Sequence, residues 1–250
     1  MKIAVLIPGS PRFSKEFDTL IHRVSVCDQV DWYFYLWSES TSPDKNGMNL
    51  VAPKWRNIDY EWAVEKIQSN LPENHRVVAL QLGDLKSIPI PQITHNITET
   101  HMERTWPMFE SLYRVDLLRQ QIGEEYDLVI RARNDVEVKN SIDFAQIKQL
   151  VDQDPSLIFT EVNHRYGKYN ITINDFFAIS SPKNIQIYCD AVNHLMEYHQ
   201  KGYVFHPETM LAVHLIESGL KIAYVDFGLE LRSMGSIVDN AYHADFGNWA

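Results

Sequence analysis

Arg131, Arg133, Asp135 and Glu137 alternate along Leu128-Val129-Ile130-Arg131-Ala132-Arg133-Asn134-Asp135-Val136-Glu137, a segment that starts apolar and turns polar. In extended backbone, successive side chains point to opposite faces. Arg131 and Arg133 therefore share one side with Ala132 on the other, and Asp135 and Glu137 project from one face. Two carboxylates at a strand end are hard oxygen ligands, suited to hold Mg²⁺ or Mn²⁺ against a diphosphate. A plain polar turn leaving a strand uses the same Asn-Asp residues. The arginines either reach anions, such as Asp135, Glu137 or a phosphorylated ligand, or lie solvated at an exposed strand end, because a bare guanidinium inside a sheet is costly.

Other chemistry-bearing residues are scattered. Pro8-Gly9-Ser10-Pro11-Arg12 is a tight loop between a strand and a helix, where ligands of open α/β sheets collect. Arg12 there serves either a nucleotide or the solvated start of a helix. The loop lacks the glycine spacing of a P-loop or a dinucleotide fingerprint. Asp175, in Asn174-Asp175-Phe176-Phe177, is an acid at the mouth of an aromatic strand, fit to bind sugar hydroxyls or act as a base, or simply to cap a turn. His206 and Glu208 flank Pro207 at a helix start, and structural roles are expected for both. His243 and Asp245 lie in a C-terminal segment that supplies a metal ligand, closes a lid, or is a mobile tail. Trp37 and Tyr113 are placed to stack on a base or sugar, or to pack. His194 and His199 share no helix face, which excludes a helical zinc site, and no Gly-x-Ser-x-Gly elbow supports a serine hydrolase.

The elements that must position these residues alternate. Lys2–Gly9, 31–37, 77–82 and 127–133 read as strands, and the helices between them carry apolar residues at three- and four-residue steps, including Tyr60 to Leu71 and Trp106 to Ile122. This is the pattern of an α/β fold with a Rossmann-like, mostly parallel central sheet flanked by helices. Gly83 to Thr100 reads as a long connection. After residue 140 the pattern loosens into a mixed half, with helices at 142–151, 185–198 and 209–218 and strands at 157–160, 175–179, 221–225 and 229–231. One domain is expected, with a nucleotide-binding half (1–140) and an acceptor-side half (141–250).

Composition narrows the function. The chain has 250 residues, 45% of them hydrophobic and 22% charged, enough to bury a core of its own. A formal net charge of −10 argues against nucleic-acid binding, though a local basic pocket for one small anion is compatible with it. No apolar run reaches the ~20 residues of a transmembrane helix, and the first strand is too short for a signal peptide. Cys27 and Cys189 lie far apart and read as reduced core thiols. A cytoplasmic protein is expected, in which the sequons at Asn96 and Asn170 go unused.

Residues 3–12, 126–135, 174–180 and His206-Pro207-Glu208 together resemble the ordered landmarks of GT-A-type nucleotide-sugar glycosyltransferases, most nearly the capsule- or lipopolysaccharide-type sugar transferases of bacteria and large viruses. The resemblance implies a GT-A sheet whose strand end carries an Asp-x-Asp metal motif, with Mn²⁺ or Mg²⁺ gripping a nucleotide-sugar donor. It implies Asp135 at the metal or donor ribose, Arg12 at the nucleotide, and Asp175 at the donor sugar or at the hydroxyl acceptor, a glycan or related molecule; Pro8, Gly9, Arg131, Arg133 and Asn134 are the further donor-binding candidates. Asp135, Glu137 and His243 are the metal candidates. The position two before Asp135 is Arg133 where the motif has Asp, so the acids are either shifted to Asp135 and Glu137 or reduced to one acid helped by arginines. Two rivals stand beside this reading: a sugar-nucleotide nucleotidyltransferase, and a non-catalytic nucleotide- or carbohydrate-binding protein.

Overall fold

The computed structural model of the chain describes residues 1–11, 15–38, 60–69, 71–92, 99–162 and 173–231. Their elements, in chain order, are β1 (Lys2–Gly9), α1 (Lys15–Val24), β2 (Gln29–Trp37), α2 (Tyr60–Gln68), β3 (His75–Gly83), α3 (Glu99–Ile122), β4 (Leu128–Ala132) and β5 (Val136–Val138). There follow α4 (Phe144–Gln153), β6 (Leu157–Val162), β7 (Ile173–Ser180), α5 (Pro182–Cys189), α6 (Leu195–Gln200), α7 (Pro207–Glu217), β8 (Lys221–Tyr224) and β9 (Leu229–Leu231).

Seven strands form one sheet in the order β3-β2-β1-β4-β7-β6-β8. The first four run parallel, β7 is antiparallel to both β4 and β6, and β8 is parallel to β6. The alternating apolar strands and helices thus give an α/β fold with a mostly parallel central sheet flanked by helices, compatible with a Rossmann-like fold. Its central strands β1, β2, β4 and β7 are buried on both faces, as continuous apolar runs require, while β3 and β8 at the edges are only partly covered. One face packs Phe109, Leu112 and Val115 of α3, Ile185 and Tyr188 of α5, and Met210 to Leu215 of α7. The other packs Phe17, Leu20 and Val24 of α1, Ile67 of α2, and Phe144, Ile147 and Val151 of α4. No helix among the described residues is long and apolar enough to cross a membrane.

Four local expectations are corrected. Helix α3 starts at Glu99 rather than Trp106 and carries Pro107 in its interior, since Met102 and Thr105 extend its buried face upstream. Helix α2 stops at Gln68, leaving Leu71 in the turn before β3. The single helix expected over 185–198 is α5, a 3-10 turn at Asp190–Asn193, and α6. Ile185, Tyr188, Val192, Leu195 and Tyr198 all face the core through that break, so apolar spacing alone does not register it. Val136–Val138 is a strand, pairing antiparallel with Leu229–Leu231 in a separate two-stranded sheet.

At the amino edge of the parallel strands, a buried carboxylate is fully engaged. Asp31, with no exposure, accepts from Arg76 Nε (2.6 Å) and Nη2 (2.8 Å), Tyr126 Oη (2.8 Å) and Gln29 Nε2 (3.0 Å). Burial pushes its pKa up, but the bonds from Arg76, Gln29 and Tyr126 outweigh that and hold it below the usual value. The Tyr126 hydroxyl also meets Tyr33 Oη at 2.6 Å, and Arg76 and Lys2 both pair with Glu124.

Candidate functional site

In the strand order, the chain moves outward from β1 through β2 to β3, then returns to place β4 on the other side of β1. The crevice outside the carboxyl ends of β1 and β4 is therefore the topological switch point, where open α/β sheets bind ligands. Gly9 ends β1 with φ of +95°, a left-handed conformation that glycine adopts without strain. This turn carries Ser10 across to β4, where Asn134 Nδ2 donates to its carbonyl at 3.1 Å. The turn after Pro8 and Gly9 and the segment that leads from β4 into Asn134 and Asp135 are thus joined through the Ser10–Asn134 bond. Asp135 is 4% exposed.

Strand β7 brings the second wall. Its Phe177 pairs with Ala132, and the Arg133 N–H donates to the Phe176 carbonyl at 3.1 Å, which sets Asp175 beside the end of β4. Ala132 packs with Ile130 and Phe177 in one core. Arg131 and Arg133 take the other side, as alternation requires. Arg131, 1% exposed, lies with its guanidinium carbon 5.9 Å from the Tyr188 ring centroid, and its Nε and Nη1 have no hydrogen-bond partner. Asp175, 3% exposed, likewise has no partner for Oδ1.

Arg133 forks onto Asp135, Nε to Oδ1 at 2.8 Å and Nη2 to Oδ2 at 2.7 Å, and stacks on Phe176 at 4.8 Å. Burial opposes its charge, yet the carboxylates of Asp135, Asp175 and Glu208 more than compensate and push its pKa up. Glu208 sits in the first turn of α7, with its carboxylate 3.1 Å from His206 Nε2, while His206 Nδ1 meets Thr209 Oγ1 at 3.2 Å. Glu208 thus keeps the helix-start place expected of it, and its charge adds to that of Asp135 and Asp175 in raising Arg133.

The metal reading meets a positive obstacle. Both Asp135 oxygens are taken by Arg133, and among the described residues no group of three or more His, Cys, Asp or Glu is arranged to hold a metal ion. Glu137 lies within β5, opposite Glu230 of β9. The described residues do not fit a divalent cation as Asp135 and Glu137 were expected to. Arg12, His243 and Asp245 lie outside the described residues. Trp37 is 3% exposed and packs edge-on against Tyr35 at 5.3 Å, so it belongs to the core and does not await a base. That packing leaves no room at Gly83, where a Cβ would stand 2.3 Å from Tyr35 Oη.

Beside the site, β9 holds β5 in place. Leu229 N–H donates to Glu161 Oε1 at 3.3 Å, and Asp226 Oδ1 accepts from Gly228 N–H at 2.9 Å. Burial, followed by the charge and hydrogen bond of Asp226, pushes the Glu161 carboxyl up to about 7 against the backbone bonds from Leu229 and Gly228.

No protein-family model matches this sequence, and no curated protein matches it.

Proposed function

We propose that the protein is a glycosyltransferase of the GT-A type, moving a sugar from a nucleoside diphosphate sugar to a hydroxyl of a glycan or related acceptor. The observation that carries this reading is the meeting, at the switch point of the sheet, of two guanidinium groups with a buried carboxylate whose Oδ1 has no partner. Transfer joins the acceptor oxygen to the anomeric carbon while the bond from that carbon to the diphosphate breaks. The departing electron pair goes to a phosphate oxygen, where positive charge from Arg131 and Arg133 stabilises it. Asp175 orients the acceptor hydroxyl and takes its proton. The buried, free Cys27 and Cys189 suit a reducing compartment, and we assign the reaction to the cytoplasm.

The test is a thermal-shift series with UDP-, GDP- and CMP-sugars, followed by nucleotide release with candidate acceptors. A ligand that binds only the folded chain raises its melting temperature. Asp175→Asn is expected to lower turnover about 100-fold while the melting temperature stays near that of the parent. If no sugar nucleotide shifts the melting curve and none is consumed, the reading fails. The closure of Arg133 over both Asp135 oxygens favours one other reading, a nucleotide- or carbohydrate-binding protein without turnover. Binding without nucleotide release identifies it.

A further inference from the structure

Strand β7 does not run evenly past its neighbour β6. Thr160 pairs with Ala178, yet two residues further along β6 Val162 pairs with Ile173, five residues back along β7. Three residues of β7 are therefore extra, forming a bulge of the kind that bends a strand and redirects a side chain. An odd number of extra residues reverses the alternation of faces. Ile173 accordingly packs with Ala178 on the side of α3, α5 and α7, whereas Phe177 packs on the side of α1 and α4. Asp175 lies inside the reversal.

Buried backbone groups that leave a ladder need other partners. Here the carbonyls of Asn174, Asp175, Phe176 and Phe177 are each met. Thr160, with no exposure, sets its hydroxyl 3.1 Å from the Asn174 carbonyl and 2.9 Å from that of Phe177, so one hydrogen is shared across the bulge. The Tyr188 hydroxyl stands 3.5 Å from the Asp175 carbonyl, and the Arg133 N–H donates to the Phe176 carbonyl. Asn174 Oδ1 accepts from the Phe176 N–H at 2.7 Å. Against this background the buried Asp175 carboxylate keeps Oδ1 without a partner.

We propose that Thr160 is the positioning residue for Asp175: its hydroxyl ties the two ends of the bulge together and so fixes where the unpartnered carboxylate stands. The catalytic consequence rests on the glycosyltransferase reading, in which Asp175 takes the acceptor proton; the tie across the bulge does not. Thr160 is fully buried and acts through the Asn174 and Phe177 carbonyls. A reacting group misplaced by about 1 Å can cost about 100-fold in rate.

The experiment measures nucleotide release from UDP-glucose, GDP-mannose and CMP-N-acetylneuraminate with hexose acceptors. Thr160→Val keeps the shape of the side chain and removes the donor, and is expected to lower kcat about tenfold with the donor KM within about twofold of wild type. Thr160→Ser restores the hydroxyl and returns kcat to within about threefold of wild type. In an Asp175→Asn background Thr160→Val costs nothing further, because residues that act through one group are not additive. NMR spectra of isotope-labelled aspartate carboxyls need no substrate. With the Asp175 resonance assigned from Asp175→Asn, Thr160→Val is expected to move it and Thr160→Ser to leave it in place, while the Asp31 resonance at the other edge of the sheet stays fixed in both. Thr160→Cys, a weaker donor, replaces the valine variant if that does not fold. An Asp175 resonance that loss of the hydroxyl leaves unmoved, or an equal loss of kcat with and without the Asp175 carboxylate, overturns the proposal. If wild type consumes none of the three sugar nucleotides, the glycosyltransferase reading falls, and the resonances still decide whether Thr160 positions Asp175.

Discussion

The two edges of the sheet treat buried charge in opposite ways. At the amino edge Asp31 receives bonds from Arg76, Tyr126 and Gln29. At the carboxyl edge Arg131 and Asp175 are just as buried, yet each keeps atoms without a hydrogen-bond partner. A buried polar group that is satisfied stabilises or at least specifies the fold, whereas one left short carries a free-energy cost that only a ligand or water removes. The difference sets a fully satisfied edge of the sheet apart from the edge that carries the candidate site.

Substitutions test that separation most sharply where the expected effect is largest. Asp31→Ala removes the acceptor shared by Arg76, Tyr126 and Gln29, leaving Arg76 with Glu124 and Tyr126 with Tyr33, and is expected to lower the unfolding free energy by about 3 kcal/mol in urea denaturation, with sugar-nucleotide binding to the folded fraction unchanged. Arg131→Met reverses the sign on stability and changes binding as well. Trading an incompletely partnered buried cation for an apolar chain of similar length is expected to raise stability by about 1 kcal/mol while weakening nucleoside diphosphate binding about tenfold. If Arg131→Met destabilises as Asp31→Ala does, the two edges are alike and the contrast dissolves.

A further test is a pH dependence. The Glu161 carboxyl has an ordinary value of 4.5 and about 7 in the folded chain, so the folded state binds the extra proton. Stability from this group is present at low pH and declines as pH rises from about 4.5 to about 7, then levels off. His75 works in the opposite sense: burial lowers it from 6.5 to about 4, so its neutral form favours folding and that contribution is lost as pH falls through this interval. Glu161→Gln is expected to remove the decline toward neutral pH, read as melting temperatures between pH 5 and 8, and to leave the acid-side loss from His75 in place.

Much of this was legible in the sequence because it is local. The apolar run closed by Gly9 marks β1. The change from Leu128-Val129-Ile130 to Arg131-Ala132-Arg133 marks β4 and the edge where it ends, and strict alternation put both guanidinium groups opposite Ala132. What was not legible depends on distant partners. Strand β5 is three residues long and gains its identity only from Leu229–Leu231, far along the chain. Asp31 reads as an isolated acid in an aromatic strand until Arg76 and Tyr126 arrive beside it. The Arg133 fork depends on the bend of the chain after Ala132, which decides whether residues two apart can meet. Glu208 joins the cluster only through the placement of α7.

The reversed direction of β7 has a consequence for how this crevice can change. Because β7 runs against β4, it delivers its beginning to the mouth of the sheet: Phe177 lies next to Ala132, while Ser180 is opposite Val129, deep toward the far edge. A co-directional strand in that slot would have sent Ser180 to the rim and hidden Asp175 at the base. The carboxylate is consequently presented by the first residues of β7, ahead of the pairing with β4 that begins at Phe177, so a change there can re-aim it while the Ala132–Phe177 ladder stays intact.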